Sequence, residues 1–306
     1  MKTNQLDAFL AIAEGKGVAG AAELLCVTQP AITKSINNLE AELGISLFNR
    51  ESNRLELNGY GDILYRRGRA AKAELTRATE EIALMKKRAM ECIMFNGSPA
   101  VIPKLVPNAI NRFKGSHPNI QVKLAGLLED SPSNKIEALL AGEFDLLITV
   151  IDENEANLGI IYEKLLDMEV IFIASENHPA LKLKKPCLKD LVDYDWLLPG
   201  FGGLPFQKLR AAFRRSGAQI PENLSTIANR QVIFALLQQG LYLAAIPYHP
   251  ACFERDLNEF NVLDVTAEKI SWPIDLIRRE NTNLSPSLSD FINQIKYLVS
   301  IKSPDN

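Results

Sequence analysis

The chain carries only four cysteines, Cys26, Cys92, Cys187 and Cys252, and no two of them form a C-x-x-C pair. Its three histidines, His117, His178 and His249, each stand before a proline. Such spacing supplies neither a zinc cluster nor a disulfide framework, so free thiols, loop histidines and no metal are expected. No apolar run approaches the roughly 18 residues that a membrane span requires. The stretch "MKTNQLDAFLAIAEGKG" is interrupted by Asp7 and Glu14, where a signal peptide would hold a continuous apolar centre. A cytoplasmic protein without a membrane partner is the expectation. The G-x-S-x-G elbow and the P-loop are missing as well. With no nucleophile and no phosphate cradle, neither catalysis nor a cofactor is expected.

Positive charge is also scarce. The net charge is −3 over 306 residues, which excludes a protein that coats nucleic acid by bulk electrostatics but not one with a local DNA-reading surface. Residues 1–60 hold five Lys/Arg against seven Asp/Glu, residues 61–92 eight against five, and residues 93–306 21 against 25. What is present is an ordinary globular balance, 47% apolar and 23% charged. The length suits two or three domains.

Residues 4–60 read as short helices followed by a hairpin. Leu6, Phe9, Leu10 and Ala13 recur at helical spacing, and Gly15 and Gly17 stop that helix. "VAGAAELL" (18–25) is a second short helix, and Cys26-Val27 is a turn. Thr28 can cap a third helix, which tolerates Pro30 in its first turn. On that helix Ile32, Ile36, Leu39 and Leu43 make a buried stripe, while Gln29, Thr33 and Asn37, flanked by Pro30 and Lys34, fall on the other side. "LFNRESNRLEL" (47–57) reads as two short strands around Ser52-Asn53, a small wing.

Asn58 can cap a long helix running to about Arg88. Along it Leu64, Gly68, Ala71, Leu75, Ala78, Ile82, Met85 and Ala89 alternate steps of four and three, a coiled-coil-like seam weakened by its Gly and Ala. From Cys92 onward strands and helices alternate. They are "CIMFNGSP", a helix over 101–115, "IQVKLAG", a helix over 133–141, "FDLLIT", "EVIFIAS" (169–175) and "DWLLPGFGG" (195–203). A helix over 205–216, "LSTIA", a helix over 230–239, "LYLAAIP" (241–247) and a closing helix at about 287–301 complete the series. This alternation implies an α/β fold with parallel or mixed sheets.

A helix, a tight turn and a second helix with an exposed polar face can place that second helix in the major groove of DNA. Gln29 can pair with adenine, and Thr33 can reach a base edge or a phosphate. Lys34 and Asn37 would hold the sugar-phosphate backbone, and Arg50 and Arg54 sit where a wing could meet phosphate or the minor groove. On spacing alone, an ordinary amphipathic helix with a solvated face is an equal reading.

The stretch "FLAIAEGKGVAGAAELLCVTQPAITKSINNLEAELGISLFNR" resembles the winged helix-turn-helix of the LysR-type transcriptional regulators. The likeness is carried by "AAELL", "VTQPAIT", "INNLEAELGISLFNR" and the later "LNGYG", strongly over 6–61 and more loosely to the C-terminal helix. It implies that Gln29, Pro30, Thr33 and Lys34 contact double-stranded operator DNA, with Thr28 opening the helix, and that Arg54 serves the wing. It also implies a homo-oligomer, dimer or tetramer, paired through the long helix, and RNA polymerase as a further partner. Two positions depart from the family pattern. Gly17 stands where Ser is frequent, at a cost of a few tenths of a kcal/mol if it caps the helix, and Ala19-Gly20 lack the hydroxyl and basic groups often found there. Arg66, Arg67 and Arg69 either compensate for the acidic balance of residues 1–60 or form a solvated helix face.

For the rest, the resemblance implies two α/β lobes of the periplasmic-binding-protein type with a small effector between them, and chain crossings near 160–168 and 263–270. The division is 1–58 for the DNA-binding domain, 59–90 for the linker helix and 91–306 for the effector-binding domain. Lobe I takes about 91–164 and 267–306, and lobe II about 165–266. Ligands of open α/β sheets sit at the carboxyl ends of strands. Those positions are Ser98, Pro99, Ala100 and Val101; Thr149; Pro199, Gly200, Phe201 and Gly202; Asn229; and Pro247. The glycines of "PGFGG" can equally serve turns.

No Lys or Arg falls within the three best-placed loops, whereas Phe201, Phe206, Leu127 and Leu128 are near them. An apolar or aromatic molecule is expected, its polar end held by Ser98, Thr149 and backbone amides. Glu129 and Asp130 would instead favour a cationic group. The competing reading of the whole chain is an architectural DNA binder that responds to no effector.

Overall fold

The computed structural model describes residues 1–49, 56–85, 91–124, 132–151, 159–200, 203–253, 260–280 and 284–301. Arg50, Ser52, Asn53, Arg54 and Ala89 lie outside these residues, as do Leu127, Leu128, Glu129, Asp130, Phe201 and Gly202. The chain divides into two units, Met1–Met90 with Ser133–Phe144, and Glu91–Pro132 with Asp145–Asn306.

In the first unit, helix α1 (Thr3–Ala11) buries Leu6, Phe9 and Leu10, as their spacing requires. It runs on as a π turn, Ile12–Lys16, which ends at Gly17. Gly17 has φ 58° and ψ −176°, a combination open essentially to glycine, so it is the true breaker and Gly15 lies within the turn. Helix α2 (Gly17–Leu24) presents Ala21 and Ala22 to the core, and helix α3 (Gln29–Leu43) presents Ile32, Ile36 and Leu39. Leu43 does not join that stripe. It is 42% exposed, because α3 stops there and Gly44, with φ 70°, turns the chain away.

Two short antiparallel strands, β1 (Phe48–Asn49) and β2 (Glu56–Leu57), form the wing. Phe48 packs on Phe9 with ring centroids 5.5 Å apart, which ties the wing to α1. Helix α4 (Gly59–Met85) follows. Asn58 caps it as expected: its Oδ1 accepts the N–H groups of Tyr60 and Gly61, both at 3.0 Å, and its Nδ2 donates to the Ser46 carbonyl at 2.8 Å. Gly61 is fixed by crowding, since a Cβ there would overlap the Leu47 carbonyl oxygen and stand 2.8 Å from Leu57 Cδ2.

The second unit is built on one mixed sheet with strand order β4-β3-β5-β11-β6-β9-β7-β8, and β10 paired with β6. Its strands are β3 (Cys92–Gly97), β4 (Gln121–Leu124), β5 (Leu146–Thr149), β6 (Ile160–Ala174), β7 (Trp196–Leu198), β8 (Leu224–Thr226), β9 (Leu243–Tyr248), β10 (Asn261–Val262) and β11 (Ser271–Arg279). Helices α5 (Ile102–Ser116), α7 (Gly203–Arg215), α8 (Arg230–Gln239) and α9 (Pro286–Ser300) cover it; α6 (Pro132–Leu140), between β4 and β5 in sequence, falls almost wholly in the first unit. Buried aromatic rings knit the layers: Phe291 of α9 lies 5.9 Å from Phe95 of β3 and 5.4 Å from Phe113 of α5.

Two features of this sheet depart from the sequence reading. β6 is one strand of 15 residues, begun well before "EVIFIAS". β11, which lies between β5 and β6, had no signal at all. Its sequence "SWPIDLIRR" puts Pro273 and Asp275 inside a central strand, both of which argue against one. The conflict is met by a register shift between Ile274 and Asp275 in the ladder with β6, directly after the proline.

Candidate nucleic-acid interface and effector cleft

The outer face of α3 is a built surface. Ile32, Ile36 and Leu39 are at most 8% exposed and seat the helix on the first unit's core. Gln29, Pro30, Thr33, Lys34 and Asn37 are all exposed. With Asn38 and Val18 they line a shallow recess of about 640 Å³. Neither Gln29, Lys34 nor Asn37 spends its side chain on a bond within the chain, among the described residues.

The hydroxyls differ. Thr33 Oγ1 donates to the Gln29 carbonyl at 3.2 Å, which leaves its lone pairs outward and makes it an acceptor. Thr28 holds the N-cap position, but its side chain makes no cap hydrogen bond. The second helical residue is Pro30, which has no N–H, and the Ala31 N–H is taken by the Thr28 carbonyl at 2.9 Å. The Thr28 hydroxyl is thus exposed and uncommitted, next to Gln29.

Arg50 and Arg54, the wing contacts expected from sequence, lie outside the described residues. Of the three arginines at the start of α4, Arg66 and Arg67 are exposed, while Arg69 lies over the Tyr65 ring at 5.5 Å and pairs with Glu143. The seam along α4 also divides. Gly68 is buried, and a Cβ there would come within 2.6 Å of Leu6 Cδ1 in α1. Leu75 is 57% exposed and Ile82 51% exposed. The first two turns of the seam therefore belong to the chain's own core, and the later ones face outward.

In the second unit the candidate effector residues form two groups. Ser98 to Val101 follow β3, and Thr149 ends β5. These strands run parallel with Gly97 opposite Ile148, and the Ser98 N–H donates to the Ile148 carbonyl at 2.7 Å. Ser98 Oγ accepts the Ala100 N–H at 3.3 Å. Val101 does not line the loop: its side chain is fully buried in the core and its N–H is taken by the Ser98 carbonyl at 2.9 Å. It supports the turn from beneath. Pro199 and Gly200 follow β7, parallel to β8 and β9. Asn229 caps α8 by accepting the Gln231 N–H at 2.9 Å. Pro247 is inside β9, opposite Val170, and buried.

Register sets where these groups point. Thr149 is opposite Asp275, and Asp275 is opposite Lys164, so β5 and β6 run in the same direction. β9 runs against β6, with Tyr248 opposite Glu169. The carboxyl ends of the two strand groups therefore approach each other along β6, over the stretch from Lys164 to Glu169, roughly 17 Å at about 3.3 Å per residue.

A residue outside the expected set reaches the β9 side from the helix after β3. Lys104, in the first turn of α5, sends Nζ to within 3.2 Å of the Pro250 carbonyl, just beyond β9. Lys104 lies six residues after Ser98, on a helix and outside the loops that end the strands. Acidic groups here are restrained. Asp275 is 4% exposed, and burial pushes its carboxyl above the usual range, opposed by the Ile151 N–H and by Lys164. Glu169 pairs with Lys269 at 2.5 Å and Asp167 with Lys164 at 3.0 Å.

The matches to known proteins follow these two regions. Residues 93–299 match the family model described as the LysR substrate binding domain, and residues 3–62 match the bacterial regulatory helix-turn-helix protein, lysR family. The chain is 26% identical over 241 residues to the HTH-type transcriptional regulator GbpR of Azospirillum brasilense, covering 78% of this chain and 70% of that one. It is 29% identical over 199 residues to the HTH-type transcriptional regulator PcaQ of Agrobacterium fabrum, covering 65% of this chain and 63% of that one. Among solved structures, full-length CbnR complexed with its target DNA is similar in fold, with a TM-score of 0.62 at 22% identity over 97% of this chain and 100% of that one. No helix among the described residues is long and apolar enough to cross a membrane.

Proposed function

We propose, for a chain that belongs to the LysR family of transcriptional regulators, that it reads a dyad-symmetric operator with α3 and changes its grip when a small effector enters the cleft. The observation that carries this reading is the outer face of α3: polar, exposed, free of carboxylates from Gln29 to Asn38, and held in place by three buried aliphatic residues. Gln29 and Thr33 read base edges, Lys34 and Asn37 hold the backbone, and the Thr28 hydroxyl and Pro30 meet the strand at the helix start. Residues 1–58 form the DNA-binding domain, 59–90 the linker and 91–306 the effector domain.

Two copies pair through the outward turns of α4. With few basic residues beside α3, one copy neutralises few phosphates, so the second supplies a needed share of the affinity. Ser98, Thr149 and neighbouring backbone amides hold the effector's polar end. Because the effector contacts both strand groups, it shifts the equilibrium between lobe arrangements and so the spacing of paired α3 helices. RNA polymerase is the partner that reads the change, in the cytoplasm.

The test is a footprint of the full chain on the DNA beside its own gene. Two protected half-sites separated by ~34 Å or a multiple of it are expected, with a protected length that changes when an effector is added. Equal protection of random DNA would refute the reading.

A further inference from the structure

We propose that Lys104 is the specificity-determining residue of the effector cleft, and that it selects a carboxylate, which takes the lysine away from the Pro250 carbonyl. This rests on the cleft reading above. Lys104 is half-buried, and among the described residues its only partner is that neutral carbonyl. An ammonium has three donors and a full charge, so one carbonyl satisfies neither. Most other cations near the cleft are already matched. Lys164 has Asp167, and Lys269 has Glu169. Lys104 keeps donor capacity beyond that one carbonyl.

Its position suits an anion that also meets Ser98 and Thr149. Lys104 stands on the helix that follows Ser98, and its head reaches the Pro250 carbonyl beyond β9. A carboxylate there would exchange an ion–dipole contact for a charge-assisted hydrogen bond. Asp275, opposite Thr149, is buried and already accepts the Ile151 N–H. In the absence of an effector the same lysine ties α5 to the segment after β9. Binding therefore trades an internal tether for a ligand-borne one, which gives the effector different contacts in the two states.

The experiment is calorimetric titration of the full chain with benzoate, phenylacetate and hexanoate, each beside its primary amide and the corresponding primary amine. The wild type is expected to bind at least one carboxylate more tightly than its amide. Lys104→Met should weaken that carboxylate by about tenfold to a hundredfold, change the amide less than twofold or so, and be largely rescued by Lys104→Arg. Circular dichroism of each variant excludes misfolding. A carboxylate held equally by wild type and Lys104→Met overturns the proposal, as does preference for an amine. If only amides or amines bind, and Thr149→Ala weakens them while Lys104→Met does not, Lys104 loses its role and the cleft keeps its own. If none of the compounds binds, both assignments fall.

Discussion

Replacing Leu75 and Ile82 together by alanine removes two apolar side chains that α4 leaves more than half in solvent, 57% and 51% exposed. Seven residues, or about two helical turns, separate them, so they share a face. Full burial of such a side chain is worth ~1.5–3 kcal/mol, and about half of that remains to be gained, ~1 kcal/mol each. A two-fold pairing uses both residues twice. The sum is about 4 kcal/mol, of which alanine methyls keep a part, so the double variant should lose about 3 kcal/mol and more than roughly a hundredfold in dimer affinity. Sedimentation equilibrium of the full chain reads this directly. Circular dichroism should not change, because neither side chain belongs to a buried core cluster. Leu64→Ala is the contrast: its side chain packs against the α1 core, so it should lower the melting temperature and leave association nearly intact. Equal dimer affinity in wild type and the Leu75→Ala, Ile82→Ala variant would refute the pairing of copies through α4.

Gly61→Ala should cost about 2 kcal/mol, because the new methyl meets a backbone carbonyl that cannot move without lifting the wing; thermal denaturation should show a fall of several degrees, and an unchanged melting point would count against the tight fit. His249 is expected to make stability fall on acidification. Burial pushes its imidazole below the ordinary value, against the pull of Glu169 and Asp167, and its Nδ1 accepts the Ala251 N–H at 3.1 Å, which an imidazolium cannot do. Its contribution is complete above pH ~6.5 and declines as the pH drops beneath that value. His249→Asn keeps an acceptor without the titration, so urea curves at about pH 7 and about pH 5.5 should lie closer together for the variant than for wild type. Equal separations would remove His249 from the acid response.

The described part of the first 60 residues was legible because its local rules agree. The 4-3 spacing of Ile32, Ile36 and Leu39, the cap at Asn58 and the stop at Gly17 each act within a few residues, and the structure realises them together. Two details depended on exact helix phase and end geometry. Leu43 leaves the core because the helix ends there, and Pro30 removes the N–H that the Thr28 hydroxyl would otherwise accept.

In the α/β part, strands with period or continuous apolar runs were readable and β11 was not. Pro273 and Asp275 are tolerated there through a register shift and a bond to the Ile151 N–H, both set by neighbours more than 100 residues away in sequence. The same limit applies to Lys104, whose partner at Pro250 is 146 residues distant. Spacing identifies which loops end parallel strands. Only the ladder register shows that the two sets of ends converge on β6.

Whether the exposed face of α3 reads base pairs is tested most directly by selection of bound sequences from a random duplex pool, by wild type and by Gln29→Ala. A two-fold symmetric motif is expected, in which one base-pair position of each half-site loses ~1–3 kcal/mol of preference in the variant while the other positions hold. The same motif recovered with both proteins, or no motif with either, would contradict it.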